Sequence, residues 1–106
     1  MKITGVGTDI IEIERIKKAV SSPRFLDRVY TERERAYAME RTNPYQTYAG
    51  MFAAKEAAVK AMGGLIEDYE ILHDDQGKPF INGKSAHLSI SHCDLYAVAF
   101  VTAYIE

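Results

Sequence analysis

Apolar residues recur along this chain with two periods, and the switch between them marks out the elements. Ile3 to Ile11 reads as a strand, with Gly5 and Gly7 admitting a close neighbour to its backbone. From Glu12 to Val20 the spacing becomes helical, with Ile13, Ile16 and Val20 on one face. Ser22-Pro23 predicts a second helix start, an N-cap followed by proline at the first helical position. Thr31-Glu32-Arg33-Glu34 predicts a third through a capping box, in which the Thr31 hydroxyl accepts from the Glu34 N–H and the Glu34 side chain reaches back. The longest helix is predicted from Asn43-Pro44 to Met62, stopped by Gly63-Gly64. Tyr48, Ala49, Phe52, Ala53, Ala54, Ala57, Ala58, Val59 and Ala61 make it apolar nearly all round, which places it at the centre of a fold. Its few charges, Lys55, Glu56 and Lys60, are conspicuous for that reason.

The last forty residues read as antiparallel β structure. Tyr69 to His73 and Pro79 to Ile81 flank the turn Asp74-Asp75-Gln76-Gly77, and Asn82-Gly83 signals another. His87 to His92 alternates Leu88 and Ile90 against Ser89 and Ser91. Tyr96 to Ile105 is almost continuously apolar, the pattern of a strand covered on both faces. One helical layer cannot cover both, so a second subunit is expected to supply part of the cover. The fold class is therefore α+β: an antiparallel sheet packed on a long central helix, with residues 1–106 as a single domain.

Composition narrows the classes. With 47% apolar and 26% charged residues among 106, disorder is excluded and a real core is affordable. One cysteine, Cys93, excludes an internal disulfide and a Cys-rich zinc site, and points to the cytoplasm. The N-terminal stretch meets an acid at Asp9, too soon for a signal peptide. The uncharged run from Leu95 to Ile105 is eleven residues, where a membrane span needs about 20. The net charge of −2 conceals an asymmetry. Residues 15–41 carry eight basic side chains, Arg15, Arg24 and Arg28 among them, against four acids. Such a face suits an anionic partner, or is a pair of solvated helices laced with ion pairs. Nucleic acid is disfavoured, because the chain is acidic overall and the basic stretch is interrupted.

Three constellations can carry chemistry. Asp9 follows a Gly-rich strand and Glu56 interrupts the apolar helix; two carboxylates with waters and substrate phosphates are how magnesium is usually held. The bland alternative is that Asp9 caps a turn and Glu56 pairs with Lys60. Phe52, Glu56 and Lys60 lie at i, i+4 and i+8, so they line one face, where a lysine can hold a phosphate oxygen. Ser89-Ile90-Ser91-His92 ends a strand, where hydroxyls and an imidazole can bind a phosphate or a base edge, or simply form a half-exposed strand. A Ser-His hydrolase is disfavoured, because Ser91 and His92 point to opposite faces and no nucleophile elbow is present. His73, His87 and His92 lack the spacing of a closed zinc site.

These residues resemble a known family. Gly5-Val6-Gly7-Thr8-Asp9-Ile10-Ile11-Glu12-Ile13 and Phe52-Ala53-Ala54-Lys55-Glu56-Ala57-Ala58-Val59-Lys60 resemble the two signatures of the 4′-phosphopantetheinyl transferases. The stretch from Arg24 to Glu32, Gly77-Lys78-Pro79, Leu88 to His92 and Tyr96 to Val101 are similar to its short stand-alone branch, the holo-acyl-carrier-protein synthases. The likeness spans essentially the whole chain. It departs after Lys60, where the family usually has a Gly-Thr-Gly turn and a longer segment; here Gly63-Gly64-Leu65 leads almost at once to Glu67-Asp68-Tyr69. Cys93 stands where serine is common.

The resemblance implies the 4′-phosphopantetheinyl transferase fold and transfer of the 4′-phosphopantetheine arm from coenzyme A to a serine of apo-acyl carrier protein, releasing adenosine 3′,5′-bisphosphate. It implies Mg²⁺ on Asp9 and Glu56, a phosphate contact from Lys60, and a nucleotide end lined by Lys78, Pro79, Ser91 and His92. The nucleophile belongs to the carrier; the base is left open between Glu56 and a bound water. Arg15, Arg24 and Arg28 would steer the acidic carrier, and the active form would be a homotrimer with sites between subunits. Two alternatives stay open: the same chemistry on polyketide or peptide-synthase carriers, and a non-catalytic module that docks an acidic partner.

Overall fold

The computed structural model describes residues Met1–Glu106. Strand β1 (Lys2–Glu12) leads into three short helices, α1 (Ile13–Ala19), α2 (Pro23–Val29) and α3 (Glu32–Met39), then the long α4 (Pro44–Met62). A 3₁₀ turn (Ile66–Asp68) precedes β2 (Ile71–His73), β3 (Pro79–Ile81), β4 (Ala86–His92) and β5 (Tyr96–Ile105). No helix is long and apolar enough to cross a membrane.

The helix starts form as the local chemistry dictates. The Ser22 and Asn43 side chains accept from the N–H groups of Phe25 and Gln46, each ahead of a proline at the helix start. The Thr31–Glu34 capping box is complete. α4 ends at Gly63, whose φ of 82° is a conformation that glycine adopts without strain. The short link that follows is tied down twice, by the Leu65 N–H donating to Asp68 at 2.8 Å and the Tyr69 hydroxyl donating to the Gly63 carbonyl.

β1, β5 and β4 form an antiparallel sheet in that order, while β2 and β3 form a separate hairpin. The pairing places Asp9 opposite Ala99 and Ala99 opposite Ile90, so the inner face carries Gly7, Asp9 and Ile11 beside Ala97, Ala99 and Val101. Against this face lies α4 with Ala53, Ala54, Ala57 and Ala58 fully buried. Small residues on both sides bring backbones close: a Cβ placed on Gly7 would stand 2.0 Å from the Ala57 carbonyl oxygen, and one on Gly5 would stand 2.0 Å from that of Ala61. The sequence signal at Gly5 and Gly7 was therefore a helix crossing.

The other face of β5 has no cover within one copy. Within one copy this strand is buried on its Ala97–Ala99–Val101–Ala103 side only. On the opposite side Phe100 is 48% exposed, beside Val6 at 58% and Ile10 at 63%.

Candidate active site

Asp9 projects from the inner face of β1 at the edge of the sheet, with its side chain 17% exposed. Lys60 Nζ donates to Asp9 Oδ1 at 3.3 Å and to the Thr8 carbonyl at 2.8 Å. As β1 runs from Gly5 to Gly7, its neighbour on α4 steps back from Ala61 to Ala57. Glu56 is half-buried and forms no hydrogen bond or ion pair, so the ordinary Glu56–Lys60 helix pair is not made. Phe52, one turn earlier, is also half-buried. Asp9 on β1 is thus already held by a cation, while Glu56 on α4 has no partner.

Lys55, next in sequence to Glu56, turns the other way. Its side chain is 1% exposed and Nζ donates to Glu34 Oε1 at 2.7 Å, with Glu34 fully buried. Glu34 also accepts from the N–H groups of Thr31 at 2.8 Å and Ile71 at 2.6 Å. Lys55 donates to the Val29 carbonyl as well and sits under the Tyr30 ring. Burial, followed by the nearby Glu34 charge, pushes the Tyr30 phenol far above its usual range, and its hydroxyl donates to the Tyr48 carbonyl at 2.8 Å. The capping box was legible in sequence; this second use of Glu34, which ties three elements together, was not.

A pocket of about 540 Å³ opens between the end of α3, the start of α4, the β2–β3 hairpin and β4. Pro79 and His92 line it, with Tyr37, Arg41, Asn43, Gln46, His73 and Ile90. Of the other two residues assigned to the nucleotide end, neither joins it in a single copy. Lys78 lines a smaller hollow of about 190 Å³ with Phe80 and His87. Ser91 pairs with Val98 on the outer sheet face, one residue out of phase with His92. Asp9, Glu56 and Lys60 also lie outside the pocket, Asp9 on β1 being separated by β5 from the pocket's β4 residues. Sequence reasoning did not assign Tyr37, Arg41 and His73; the available signal was Arg41 standing just before the helix start Thr42-Asn43-Pro44.

Arg15, Arg24 and Arg28 are exposed on α1 and α2 and form no ion pair. In the same basic stretch Arg33 pairs with Glu70 at 2.6 Å and Arg35 with Asp27 at 2.8 Å. The face is thus partly laced, with Arg15, Arg24, Arg28 and Arg41 left unpaired. No group of three or more His, Cys, Asp or Glu side chains clusters as a metal site. His87 stacks on Tyr104, with ring centroids 5.0 Å apart, on the face opposite His92.

Comparison with known proteins agrees with this geometry. The chain is 45% identical to the holo-[acyl-carrier-protein] synthase of Fusobacterium nucleatum, covering 92% of this chain and 95% of the relative. Its fold superposes with a TM-score of 0.84 on a Bacillus anthracis holo-(acyl-carrier-protein) synthase in complex with CoA (3′,5′-ADP), at 38% identity over 98% of this chain and 100% of the other. A Helicobacter pylori holo-[acyl-carrier-protein] synthase in complex with coenzyme A gives 0.80 at 29% identity, covering 92% of this chain and 99% of that one. The family model of the 4′-phosphopantetheinyl transferase superfamily matches residues 5–104. By the family model over residues 5–104 and by relatives of this identity and coverage, this chain belongs to the 4′-phosphopantetheinyl transferase superfamily.

Proposed function

We propose that this chain, acting as one domain, transfers 4′-phosphopantetheine from coenzyme A to a serine of apo-acyl carrier protein and releases adenosine 3′,5′-bisphosphate. The observation that carries this reading is the partnerless Glu56 carboxylate on α4, with Lys60 of the same helix holding Asp9, in a chain whose relatives are holo-acyl-carrier-protein synthases. Those two side chains fit Mg²⁺, because both are hard oxygen donors. Asp9 and Glu56 would hold the ion, which would supply neutralisation of the pyrophosphate charge. Lys60, with its side chain 55% exposed, adds a positive charge for the leaving phosphate. The carrier serine Oγ forms a bond to the pantetheine-side phosphorus, and the anhydride P–O bond breaks toward the adenosine bisphosphate. The serine proton passes to a base, for which Glu56 and a bound water are the candidates. The chain's own contribution is positioning and charge, as in other phosphoryl transfers.

The nucleotide end of coenzyme A sits in the pocket lined by Pro79 and His92. A homotrimer with shared sites accounts for the rest. The exposed Val6, Ile10 and Phe100 give the outer sheet face an apolar patch that a second copy can cover, and Ser91 points into that face. Lys78 and Ser91 then reach the nucleotide only across the subunit boundary. Arg15, Arg24 and Arg28, free of ion pairs, steer the acidic carrier, and one exposed thiol, Cys93, suits the cytoplasm.

The test is the intact mass of an apo-acyl carrier protein after incubation with this protein, coenzyme A and Mg²⁺, alongside an Asp9→Ala, Glu56→Ala double variant. One added phosphopantetheine unit with the wild type alone is expected. The same gain with the double variant would overturn the metal assignment and keep the transferase. No gain on carriers from fatty-acid, polyketide and peptide synthases would favour a docking module.

A further inference from the structure

We propose that Tyr37 and His73 are positioning residues that hold the Arg41 guanidinium at the edge of the large pocket, where it takes a phosphate of the nucleotide. The inference rests on the reading of that pocket as the nucleotide end of coenzyme A. Arg41 is exposed, stands just beyond α3 and has no carboxylate partner. An arginine in that state samples many rotamers, and ordering it costs free energy at the moment of binding. Here the ordering is built in beforehand. The Arg41 Cζ lies 5.2 Å from the centroid of the Tyr37 ring. That ring in turn lies flat on the His73 imidazole, with centroids 3.8 Å apart and planes 5° from parallel. Tyr37 comes from α3 and His73 from the end of β2, so the stack joins two elements across the pocket wall.

The imidazole is an odd choice for plain packing, because its Nδ1 is buried without a hydrogen-bond partner. An apolar ring would avoid that cost. The charged groups acting on it are Arg41 and Asp74 from its own hairpin, and the titratable His92 lines the same pocket. Burial and the Arg41 charge hold His73 below its ordinary range, so it is neutral at pH 7 and does not repel the guanidinium it helps to place.

The measurement is calorimetric titration of adenosine 3′,5′-bisphosphate into the wild type and into Arg41→Ala, His73→Ala, the double variant and His73→Phe, with turnover at saturating coenzyme A as a second readout. Losing a charge-assisted phosphate contact in Arg41→Ala is expected to weaken binding about twentyfold. Loss of the supporting stack in His73→Ala is expected to weaken it about fivefold, the share of a partly exposed cation–π contact. Because His73 acts through Arg41, the double variant binds no worse than Arg41→Ala. His73→Phe restores the stack and returns both the affinity and the turnover to their wild-type values. Additive losses, or His73→Phe no better than His73→Ala, would overturn the positioning role while leaving the pocket assignment intact. A wild type that does not bind the bisphosphate would overturn the pocket assignment and this inference with it.

Discussion

Replacing Lys55 by methionine separates the work of two adjacent charges. Lys55 and Glu34 are 1% and 0% exposed, and their atoms approach to 2.7 Å. Methionine fills much of the lysine stem's volume but returns no charge. Glu34 then keeps the N–H groups of Thr31 and Ile71 while its negative charge is buried without a counter-ion. Breaking a buried pair from one side costs about 3–5 kcal/mol. A chain of this length has about 5–15 kcal/mol in all, so the variant should lose a large share of its stability. Adding Glu34→Gln removes the orphaned charge and should recover at least about 1 kcal/mol, since a buried pair deleted from both sides costs less than one broken. The assay is urea unfolding followed by far-UV circular dichroism, at fixed protomer concentration because assembly contributes. Glu56→Gln, one residue along, should move stability by less than about 1 kcal/mol and abolish Mg²⁺-dependent transfer. Lys55→Met within about 1 kcal/mol of wild type would refute the argument, as would a double variant as unstable as the two single losses summed.

Four further outcomes are expected. Gly7→Ala forces a Cβ to 2.0 Å from the Ala57 carbonyl, so it should cost about 3 kcal/mol, the upper part of the overpacking range, and cut turnover by shifting Asp9; thermal melting and initial rates read both. Stability should fall on acidification through the ordinary His73 value of 6.5, because burial and Arg41 make the native state refuse a proton that the unfolded chain accepts. His73→Phe should flatten that stretch of the pH–stability curve measured by urea midpoints. A second loss should appear below the ordinary Glu70 value of 4.5, because the Arg33 hydrogen bond holds this carboxyl low, and Arg33→Ala should remove it from the same curve. Arg15→Glu should raise KM for the acidic carrier several-fold, with its salt dependence reduced, and leave coenzyme A binding unchanged by calorimetry; equal loss of both would refute steering.

Local chemistry made the elements legible. Caps at Ser22, Thr31 and Asn43, the glycine stop at Gly63 and the Asp74–Gly77 turn each act within a few residues, so sequence neighbours carry the whole signal. Periodicity did the same for the inner sheet face. What escaped depends on partners far apart in the chain. Glu34 meets Ile71 across 37 residues and Lys55 across 21. Lys55 reads as one more charge on an apolar helix until α3 is packed against it. Tyr37 and His73 likewise gain a role only when the hairpin folds back onto α3. In the same way Lys60 chose Asp9, from another element, over Glu56 one turn away.

Strand parity bears on how the proposed site is assembled. Ser91 and His92 are neighbours on β4, so one points out of the sheet when the other points in. No backbone adjustment short of a bulge brings both to one ligand inside a single copy, and β4 pairs with β5 from Ala86 to His92 without one. Asp9 stands on β1, on the far side of β5 from β4 and its His92, two strand spacings or about 10 Å away. We infer that a ligand using both Ser91 and His92 meets them on different subunits, with the outer face of Val6, Ile10 and Phe100 as the seam. Placing an aspartate at Ile10, whose side chain is 63% exposed in one copy, should then leave the monomer folded while dissolving the assembly. Light scattering and transfer rates should fall together. Full activity from a monomeric Ile10→Asp protein would refute the shared site and require every ligand contact to come from one chain.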